Sequence, residues 1–374
     1  MAVDDGVLTY HDLLDYITAL TDGGARTKDM RLYREAILGA YRDVSMAAEW
    51  DYFTTEGRVN LDAAYTTGTI VYDHTGGANE RQITLTAGTW PSWASKGRIR
   101  FGDVVYPIDT RVSDTIVTLG TDFNPGADVA STSYSSYRSV YPLPSDLWRI
   151  FDVAVEKTSW ITYYITPTEW LQRDRFLDYS GQTWAWTIMR DPDADNRWAL
   201  WVDPHPTTAE PLGFIYRRRP RTLRWAGTET AARTYTITGS SGATTVTTNN
   251  ALPSSMVGAV LRLPTGTDHP TGLGGNEPFN EQFKIMSISS TTVTIDSALT
   301  TAYSAGTKCV ISDPVDMNDT MLEALKAQLE YRLSRMASDS QGTIMSQQLA
   351  MGEMRKALEA ESRHMSSQSN TSSR

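Results

Sequence analysis

The acidic run at residues 191–196 (DPDADN) is the segment whose spacing comes nearest to a metal site. Alternate carboxylates at Asp191, Asp193 and Asp195 could converge on one hard cation, as in the first half of a calcium-binding loop. The pattern then fails, because the sixth position is Asn196 where such a loop needs glycine, and the twelfth is Val202 where it needs glutamate. We therefore predict no metal site here and interpret the run as a hairpin turn between two tryptophan-rich strands.

The remaining polar residues form no catalytic pattern. The histidines occur singly, and each is expected to be a surface or turn residue: His11, His74, His205, His269 and His364. The sequence has no phosphate-binding loop ending in Lys-Ser/Thr, no Gly-x-Ser-x-Gly elbow and no His-Glu-x-x-His helix. We expect no catalytic residue, no cofactor and no enzyme activity. A polysaccharide depolymerase would need paired carboxylates in a cleft, and the only dense acidic run is the turn at 191–196.

A basic cluster stands out in a chain that is acidic overall. It consists of Arg217, Arg218, Arg219, Arg221 and Arg224. On a strand, Arg217, Arg219 and Arg221 would share one face. Three interpretations stay open: a solvated edge that discourages pairing between sheets, a subunit contact to carboxylates of a neighbour, and contact with passing DNA. The subunit contact predicts that Arg217→Glu with Arg219→Glu leaves the monomer folded and weakens oligomers.

Composition narrows the class of protein. The formal net charge of -10 and the pI of about 5.1 argue against a wide nucleic-acid-binding face, since phosphate binding is driven by Lys and Arg. The single cysteine, Cys309, cannot form an internal disulfide or a Cys-based zinc site and is expected to be a buried strand residue. No basic stretch followed by an apolar run opens the chain, and no 18 consecutive residues are apolar, so we expect a soluble protein without a signal peptide and with no membrane partner.

Two Thr/Ser/Gly-rich segments resemble each other in the order of their predicted strands. The first has strands at 82–86, 97–101 and 113–119 and ends near Tyr134; the second has strands at 244–248, 258–263 and 290–295 and ends near Ile311. In both, a Pro-Ser pair precedes the glycine that opens the second of these strands. A long loop from 264 to 279 occurs in the second copy only. The pattern predicts a duplicated antiparallel β module, the alternative being a chance likeness of Thr-rich strands.

Helices frame the chain. Thr9 with Asp12 predicts a helix N-cap, and a second helix is expected from Thr27 to about residues 50–53, with Tyr33, Ile37, Tyr41, Val44 and Ala48 on one face. After Asp313-Pro314, apolar stripes predict two more helices separated by a break at 338–342. Because thioethers suit adaptable contacts, the last helix is a candidate docking element, with simple intramolecular packing as the alternative. Its candidate residues are Met345, Leu349, Met351, Met354, Leu358 and Met365.

The predicted fold class is α+β. It comprises a helical-bundle core made by the N-terminal helix pair and the C-terminal helices, a Trp-rich antiparallel β region, and two inserted small β-barrel or sandwich-like modules. Eight of the eleven tryptophans lie between residues 141 and 225, which marks that region as the main core. The predicted boundaries are 1–55 for the N-terminal helices, 56–138 and 229–312 for the modules, 139–228 for the central region, 313–365 for the C-terminal helices and 366–374 for a disordered tail.

Several segments together resemble one protein family. They are the first helix pair ending in AEW (48–50), LPSDLWRI (143–150), TPTEW (166–170), SGQ (180–182), DPHP (203–206), FIYRRRP (214–220) and the closing helical hairpin. In this order they are similar to the head-to-tail adaptor proteins of tailed bacteriophages, also called connector or gatekeeper ring proteins. The likeness covers residues 10–55, 140–225 and 314–365, and both β modules are insertions relative to the smallest such adaptors.

The resemblance implies a structural virion protein of the phage neck, assembled in the host cytoplasm. It implies a homododecameric ring that joins the portal protein to the tail nozzle or tail terminator. DNA would pass through the ring during ejection without sequence-specific binding, and carboxylates on the channel wall would repel the phosphates. The Arg217–Arg224 cluster would then make subunit or portal contacts, and the last helix would dock on the portal. The alternative is a tail or neck decoration component whose β modules bind carbohydrate or the host surface.

Overall fold

A computed structural model describes residues 7–20, 30–75, 80–138, 140–155, 160–176, 180–191, 197–227, 235–266, 269–270, 279–336 and 340–371. With 28% helix and 40% strand, the chain is a mixed α+β protein, as predicted. Its contacts divide it into two units, one of Met1–Tyr52 with Pro220–Arg374 and one of Phe53–Arg219. The helices of both chain ends thus share a unit with the second β module, and the first module shares a unit with the central region.

The helices and strands have the following bounds. The helices are α1 (Tyr10–Leu20), α2 (Met30–Met46), α3 (Pro167–Phe176), α4 (Asp319–Met336) and α5 (Ser340–Thr371). The first strands are β1 (Thr54–Leu61), β2 (Ile70–Asp73), β3 (Gln82–Leu85), β4 (Gly97–Phe101), β5 (Val104–Arg111), β6 (Ile116–Leu119), β7 (Val129–Thr132), β8 (Ser135–Arg138) and β9 (Val140–Pro142). Those of the central region are β10 (Leu147–Val155), β11 (Trp160–Ile161), β12 (Tyr163–Tyr164), β13 (Ser180–Gly181), β14 (Ala185–Arg190), β15 (Trp198–Asp203), β16 (His205–Pro206) and β17 (Glu210–Arg218). The last are β18 (Thr236–Gly239), β19 (Thr245–Thr248), β20 (Val260–Pro264), β21 (Phe279–Ser289), β22 (Thr292–Ile295), β23 (Tyr303–Lys308) and β24 (Val310–Ser312).

Helix α1 begins with the predicted cap. The Thr9 hydroxyl accepts a hydrogen bond from the Asp12 backbone N–H at 3.4 Å, and the Asp12 carboxylate accepts one from the Thr9 N–H at 2.8 Å. This reciprocal pair satisfies two N–H groups that would otherwise lack partners at the start of the helix. The sequence therefore located this helix start correctly.

Helix α2 buries the predicted stripe but ends earlier than predicted. Tyr33, Ile37, Tyr41 and Val44 are buried, and Ala48 lies beyond the last helical residue, Met46. The Trp50 indole N–H donates to the Val44 carbonyl at 2.9 Å. This bond satisfies a carbonyl of the last turn, so the chain folds back instead of extending the helix to residues 50–53.

The C-terminal helices α4 and α5 pack on each other, and α4 also packs on α2. In α4, Leu325 and Leu329 are buried while Met336 is exposed. The Arg332 guanidinium donates to the Asp43 carboxylate of α2 at 2.6 Å. Helix α5 continues to Thr371, whereas the sequence predicted a disordered tail from residue 366. Elongating an existing helix costs little per residue, and no Gly or Pro after Gly352 interrupts it.

The two β modules have the same strand order. The first sheet runs β7-β2-β3-β6-β5-β4-β8 and the second runs β23-β18-β19-β22-β21-β20-β24. Numbered from the first strand of each module, both orders are 6-1-2-5-4-3-7. Each sheet is a curled antiparallel half-barrel, where small β-barrel or sandwich-like modules were predicted.

Register strengthens the likeness of the two modules. Ile108 of β5 pairs with Leu119, and Ile285 of β21 pairs with Ile295, and each pair is followed at once by a β-bulge. Trp90 and Leu252 take equivalent places, because each is buried and each directly precedes a Pro-Ser pair. A shared bulge is a specific backbone feature, so these observations favour duplication over chance likeness.

The central region contains two four-stranded sheets, β1-β17-β10-β11 and β12-β14-β15-β9, and the pair β13-β16. Strands β14 and β15 form the predicted hairpin, pairing from Ala185 with Asp203 to Arg190 with Trp198. The region is not purely antiparallel, because β12 pairs with β14, and β13 with β16, in parallel. Helix α3 lies between β12 and β14 in sequence, and it supplies the crossover that a parallel pair requires. It also packs on β14 and β15.

Candidate functional site

The arginine cluster does not form one strand face. Strand β17 ends at Arg218, so Arg219, Arg221 and Arg224 lie beyond it. Pro220 explains the end, because it has no N–H to continue a ladder. The prediction that Arg217, Arg219 and Arg221 share a strand face was therefore wrong.

Arg217 and Arg218 pack against aromatic rings of their own unit. The Arg217 guanidinium lies 5.7 Å from the Trp148 ring centroid, and its residue is only 8% exposed. Arg218 lies 5.3 Å from the ring of Phe53. Reversing the charge of Arg217 would place a carboxylate in a nearly buried position, so the predicted intact monomer is not expected for that substitution.

Arg221 has an internal partner, the carboxylate of Asp313. The Arg221 Nε and Nη2 donate to Asp313 Oδ1 at 3.0 and 2.7 Å, while Asp313 Oδ2 accepts the backbone N–H groups of Arg224 and Trp225 at 2.6 and 2.8 Å. Asp313 is 1% exposed, so these four hydrogen bonds satisfy a buried charge. Gly258, at φ +80°, gives Arg221 room, since a Cβ there would lie 2.3 Å from Nη1. Of the five arginines, only Arg219 and Arg224 are exposed enough to be surface contacts.

The predicted docking residues of α5 divide into two groups. Met345, Leu349 and Met351 are 73%, 48% and 63% exposed, and Ile344 joins them at 57%. Met354 and Leu358 are half-buried, and the Met365 side chain lies outside the described residues. Ala350 and Ala357 are buried and mark the side of α5 that packs within the unit. The exposed group therefore forms an apolar surface on the first turns of α5, away from that side.

Each β module packs its third strand against other elements of its own unit. In the first module, the Arg98 guanidinium lies 5.1 Å from the ring of Trp170 on α3 and 5.9 Å from that of Trp201 on β15. In the second, Arg262 of β20 donates to Asp12 of α1 at 2.6 and 2.9 Å. Sequence reasoning missed this second contact. The signal was a single arginine within an otherwise apolar strand, where every residue proves to be buried.

One histidine, His11, is buried, contrary to the prediction of surface positions, and a second, His205, is half-buried. His11 on α1 is 3% exposed and lies 3.6 Å from the Asp15 carboxylate. The His205 ring stacks on Tyr137 with centroids 3.9 Å apart and planes 4° apart. Burial, with a smaller contribution from the positive charge of Arg100, lowers the pKa of His205 to about 4. Flat stacking on Tyr137 covers one face of this imidazole.

Acid is expected to destabilise the unit Phe53–Arg219 through protonation of His205. Between pH 6.5 and 4 the unfolded chain binds a proton at this histidine and the folded chain does not, so stability is lost as the pH falls through that window. The loss should reach about 2–3 kcal/mol by pH 4. His205→Phe keeps a ring for Tyr137 and removes the titration, so urea unfolding followed from pH 7.5 to 4.5 should give a smaller slope for the variant. Equal slopes for the two proteins would contradict this assignment.

The other residues with chemical potential are structural in their surroundings. Cys309 is fully buried at the one-residue break between β23 and β24, and burial raises the pKa of its thiol to about 12. In the acidic run, Asp191 is buried and its N–H donates to the Arg197 carbonyl at 2.9 Å, while Asp193 and Asp195 lie outside the described residues. Within the described ranges, His, Cys, Asp and Glu form no group of three or more that could hold a metal ion.

Comparison with known proteins adds no identification. No family model matches the chain, and neither a curated protein nor a solved structure matches it. Every helix in the part of the chain that the structure describes is too short or too polar to cross a membrane.

Proposed function

We propose that this chain is the subunit of a head-to-tail adaptor ring of a tailed bacteriophage, a structural virion protein without enzyme activity. In this proposal twelve copies form a ring between the portal protein and the tail nozzle or tail terminator. The genome leaves through the ring without sequence-specific contacts. The protein would reside in the virion neck after assembly in the host cytoplasm.

The observation that carries the proposal is the exposed apolar surface at the start of α5. Ile344, Met345, Leu349 and Met351 project four large apolar side chains from one stretch of helix. Large apolar groups clustered on an exposed face are typical of a protein-binding surface. Helical pairs at both chain ends and an acidic net charge of -10 agree with an adaptor that docks by its last helix and repels the phosphates of passing DNA.

A truncation after Gly342 is a poor test of portal docking. Most of α5 would be lost, including the buried Ala350 and Ala357, and the face of α4 that packs on α5 would become exposed. Loss of portal binding by that variant could then come from unfolding. Substitutions confined to exposed side chains separate docking from folding.

Met345→Glu with Met351→Glu is expected to weaken portal binding by at least about 100-fold, because two desolvated apolar contacts are replaced by charges. The measurement is the dissociation constant for a candidate portal protein, by interferometry, with circular dichroism to verify folding. Both side chains are more than 60% exposed, so the monomer should keep its stability.

A matched control adds the same two charges elsewhere in the same unit. Thr245→Glu with Thr292→Glu places them on exposed positions of β19 and β22 and should leave portal binding unchanged. Portal binding by the Met345/Met351 variant at the wild-type level would overturn the assignment of the α5 surface. If the wild-type chain stays monomeric and does not bind the portal at any salt concentration, the alternative function is favoured. That alternative is a tail or neck decoration component with host-surface-binding modules.

A further inference from the structure

The outer face of the sheet β1-β17-β10-β11 carries exposed aromatic and aliphatic groups. Trp148, Phe151 and Ile215 are 40%, 42% and 48% exposed, while the opposite face of β10 and β17 is buried with Leu212, Phe214 and Tyr216. Trp148 lies within a register irregularity between Leu147 and Arg149, and Phe151 within another between Ile150 and Asp152. A bulge re-aims side chains, which explains why two adjacent parts of β10 present rings to solvent. We name Trp148, Phe151 and Ile215 the aromatic face.

Arginines exceed carboxylates around the aromatic face. Three rows of side chains across β1, β17 and β10 face outward. In the first row, Arg217 pairs with Thr54 and Arg149. In the second, Ile215 pairs with Glu56 and Asp152, and in the third, Gly213 pairs with Arg58 and Ala154. Glu56 and Arg58 form an ion pair with each other at 2.9 Å. Arg149 stacks on Phe151 at 5.5 Å, and the Arg219 side chain is exposed just beyond β17. The aromatic face therefore has a basic border.

In the first β module, the loop that follows β6 and the start of β5 expose apolar side chains next to acidic residues. Phe123 is 52% exposed in the loop that follows β6, and its ring rests on Tyr106 at 5.4 Å, which in turn stacks on Phe101 at 4.8 Å. Val104 is 39% exposed at the nearby start of β5. The loop is held by its own hydrogen bonds, because the Asn124 amide donates to the carbonyls of Gly120 and Thr121 at 3.1 and 3.0 Å. A large apolar side chain is thus presented on an ordered loop.

Two exposed acidic residues accompany Val104 and Phe123. Asp103 lies on the turn before β5, and Asp122 directly precedes Phe123 in the chain. Arg111 is the only basic residue between positions 101 and 137, and it pairs with Asp114 at 2.6 Å. We name Asp103, Val104, Asp122 and Phe123 the acidic tip.

We propose that the acidic tip of one copy seats on the aromatic face of the next copy. Phe123 and Val104 would cover Trp148, Phe151 and Ile215, with Asp103 and Asp122 set against Arg149 and Arg219. The partner is a second copy because this chain carries both halves, an acidic apolar projection and a basic aromatic face. Two different patches on identical subunits make a head-to-tail contact, which closes into a ring when the rotation per subunit fits. This inference rests on the proposed ring and names the contact that builds it.

Cross-linking tests which surfaces meet. Asp122→Cys and Arg149→Cys are made as separate full-length variants, since the native Cys309 is buried and unreactive. A short bis-maleimide should join the two variants when they are mixed and join neither variant to itself. Ser131→Cys, exposed on β7 of the same module, replaces Asp122→Cys as the control and should give no product with Arg149→Cys. Absence of the Asp122→Cys and Arg149→Cys product at every protein concentration, with and without portal, overturns the proposal.

Charge exchange tests the same contact without cross-linking. Asp103→Arg with Asp122→Arg should abolish the ring-sized species in mass photometry, and Arg149→Asp with Arg219→Asp should do the same. A chain with all four changes should recover it, and Phe123→Ser alone should lose it. Failure of the fourfold variant to recover assembly while it remains folded overturns the proposal. So does a result in which the Arg149/Arg219 variant assembles normally but loses binding of single-stranded oligo(dT), because the aromatic face would then be a nucleic-acid surface.

The outcomes separate this contact from the adaptor function. If the ring cross-links through Asp122→Cys and Arg149→Cys but does not bind the portal, the proposed subunit contact is supported and the proposed adaptor function is contradicted. If the chain binds the portal but never gives this cross-link, the proposed adaptor function is supported and the proposed subunit contact is contradicted.

Discussion

Arg262→Met is expected to lower the free energy of unfolding by about 3–5 kcal/mol, because it leaves the Asp12 carboxylate buried without its countercharge. Arg262 and Asp12 are each 3% exposed, and the guanidinium donates to both carboxylate oxygens at 2.6 and 2.9 Å. Gln282 accepts a further hydrogen bond from Arg262, and the ring of Phe279 lies 4.6 Å from the guanidinium.

A double variant distinguishes a buried charge from lost packing. Asp12→Asn removes the countercharge but keeps an oxygen that can accept the Thr9 N–H, so the helix cap is preserved. Asp12→Asn combined with Arg262→Met should therefore recover a large part of the loss, since an uncharged pair has no ionic desolvation cost. Urea unfolding of the wild type, both single variants and the double variant measures the coupling. A double variant no more stable than Arg262→Met would show that packing, not charge, dominates at this site.

Sequence patterns located the features whose causes are local. The cap at Thr9, the buried stripe of α2 and the hairpin of β14 and β15 depend on residues within a few positions of one another. Three of the seven strands of each module were also predicted, because alternating Thr and Val between Pro, Ser and Gly is a strand signal that needs no tertiary information. The strands that were missed include β5 and β21, whose alternation is interrupted by a bulge.

Features that depend on distant partners could not be predicted. Asp12 and Arg262 are 250 positions apart, and neither residue type indicates which partner it will meet. The arginine cluster was identified, but Asp313, which binds Arg221 from 92 positions away, gave no local signal. For the same reason the exposed group on α5 could be named, whereas its separation from the buried Ala350 and Ala357 required the packing of α4.

The shared strand order of the two modules leads to a paired prediction. Trp90→Ala should destabilise the first module by about 3–5 kcal/mol, and Leu252→Ala the second by about 2–5 kcal/mol. Trp90 is 1% exposed and packs near Tyr65 and Tyr134, with ring centroids 6.1 and 5.4 Å away, and Leu252 is 6% exposed among the core of the second sheet. Trp90→Phe is the conservative control: the indole N–H has no hydrogen-bond partner, so this change removes volume without breaking a bond.

Hydrogen–deuterium exchange measures the two modules separately. Because Trp90 and Leu252 belong to different compact units, Trp90→Ala should accelerate exchange in β2–β8 by about 100- to 4,000-fold and leave β18–β24 protected. Leu252→Ala should do the reverse, by about 30- to 4,000-fold. Equal acceleration in both modules from either substitution would contradict independent cores. Two modules that open separately would allow the acidic tip of the first to move or be altered without disturbing the second, whose Arg262 is fixed to helix α1.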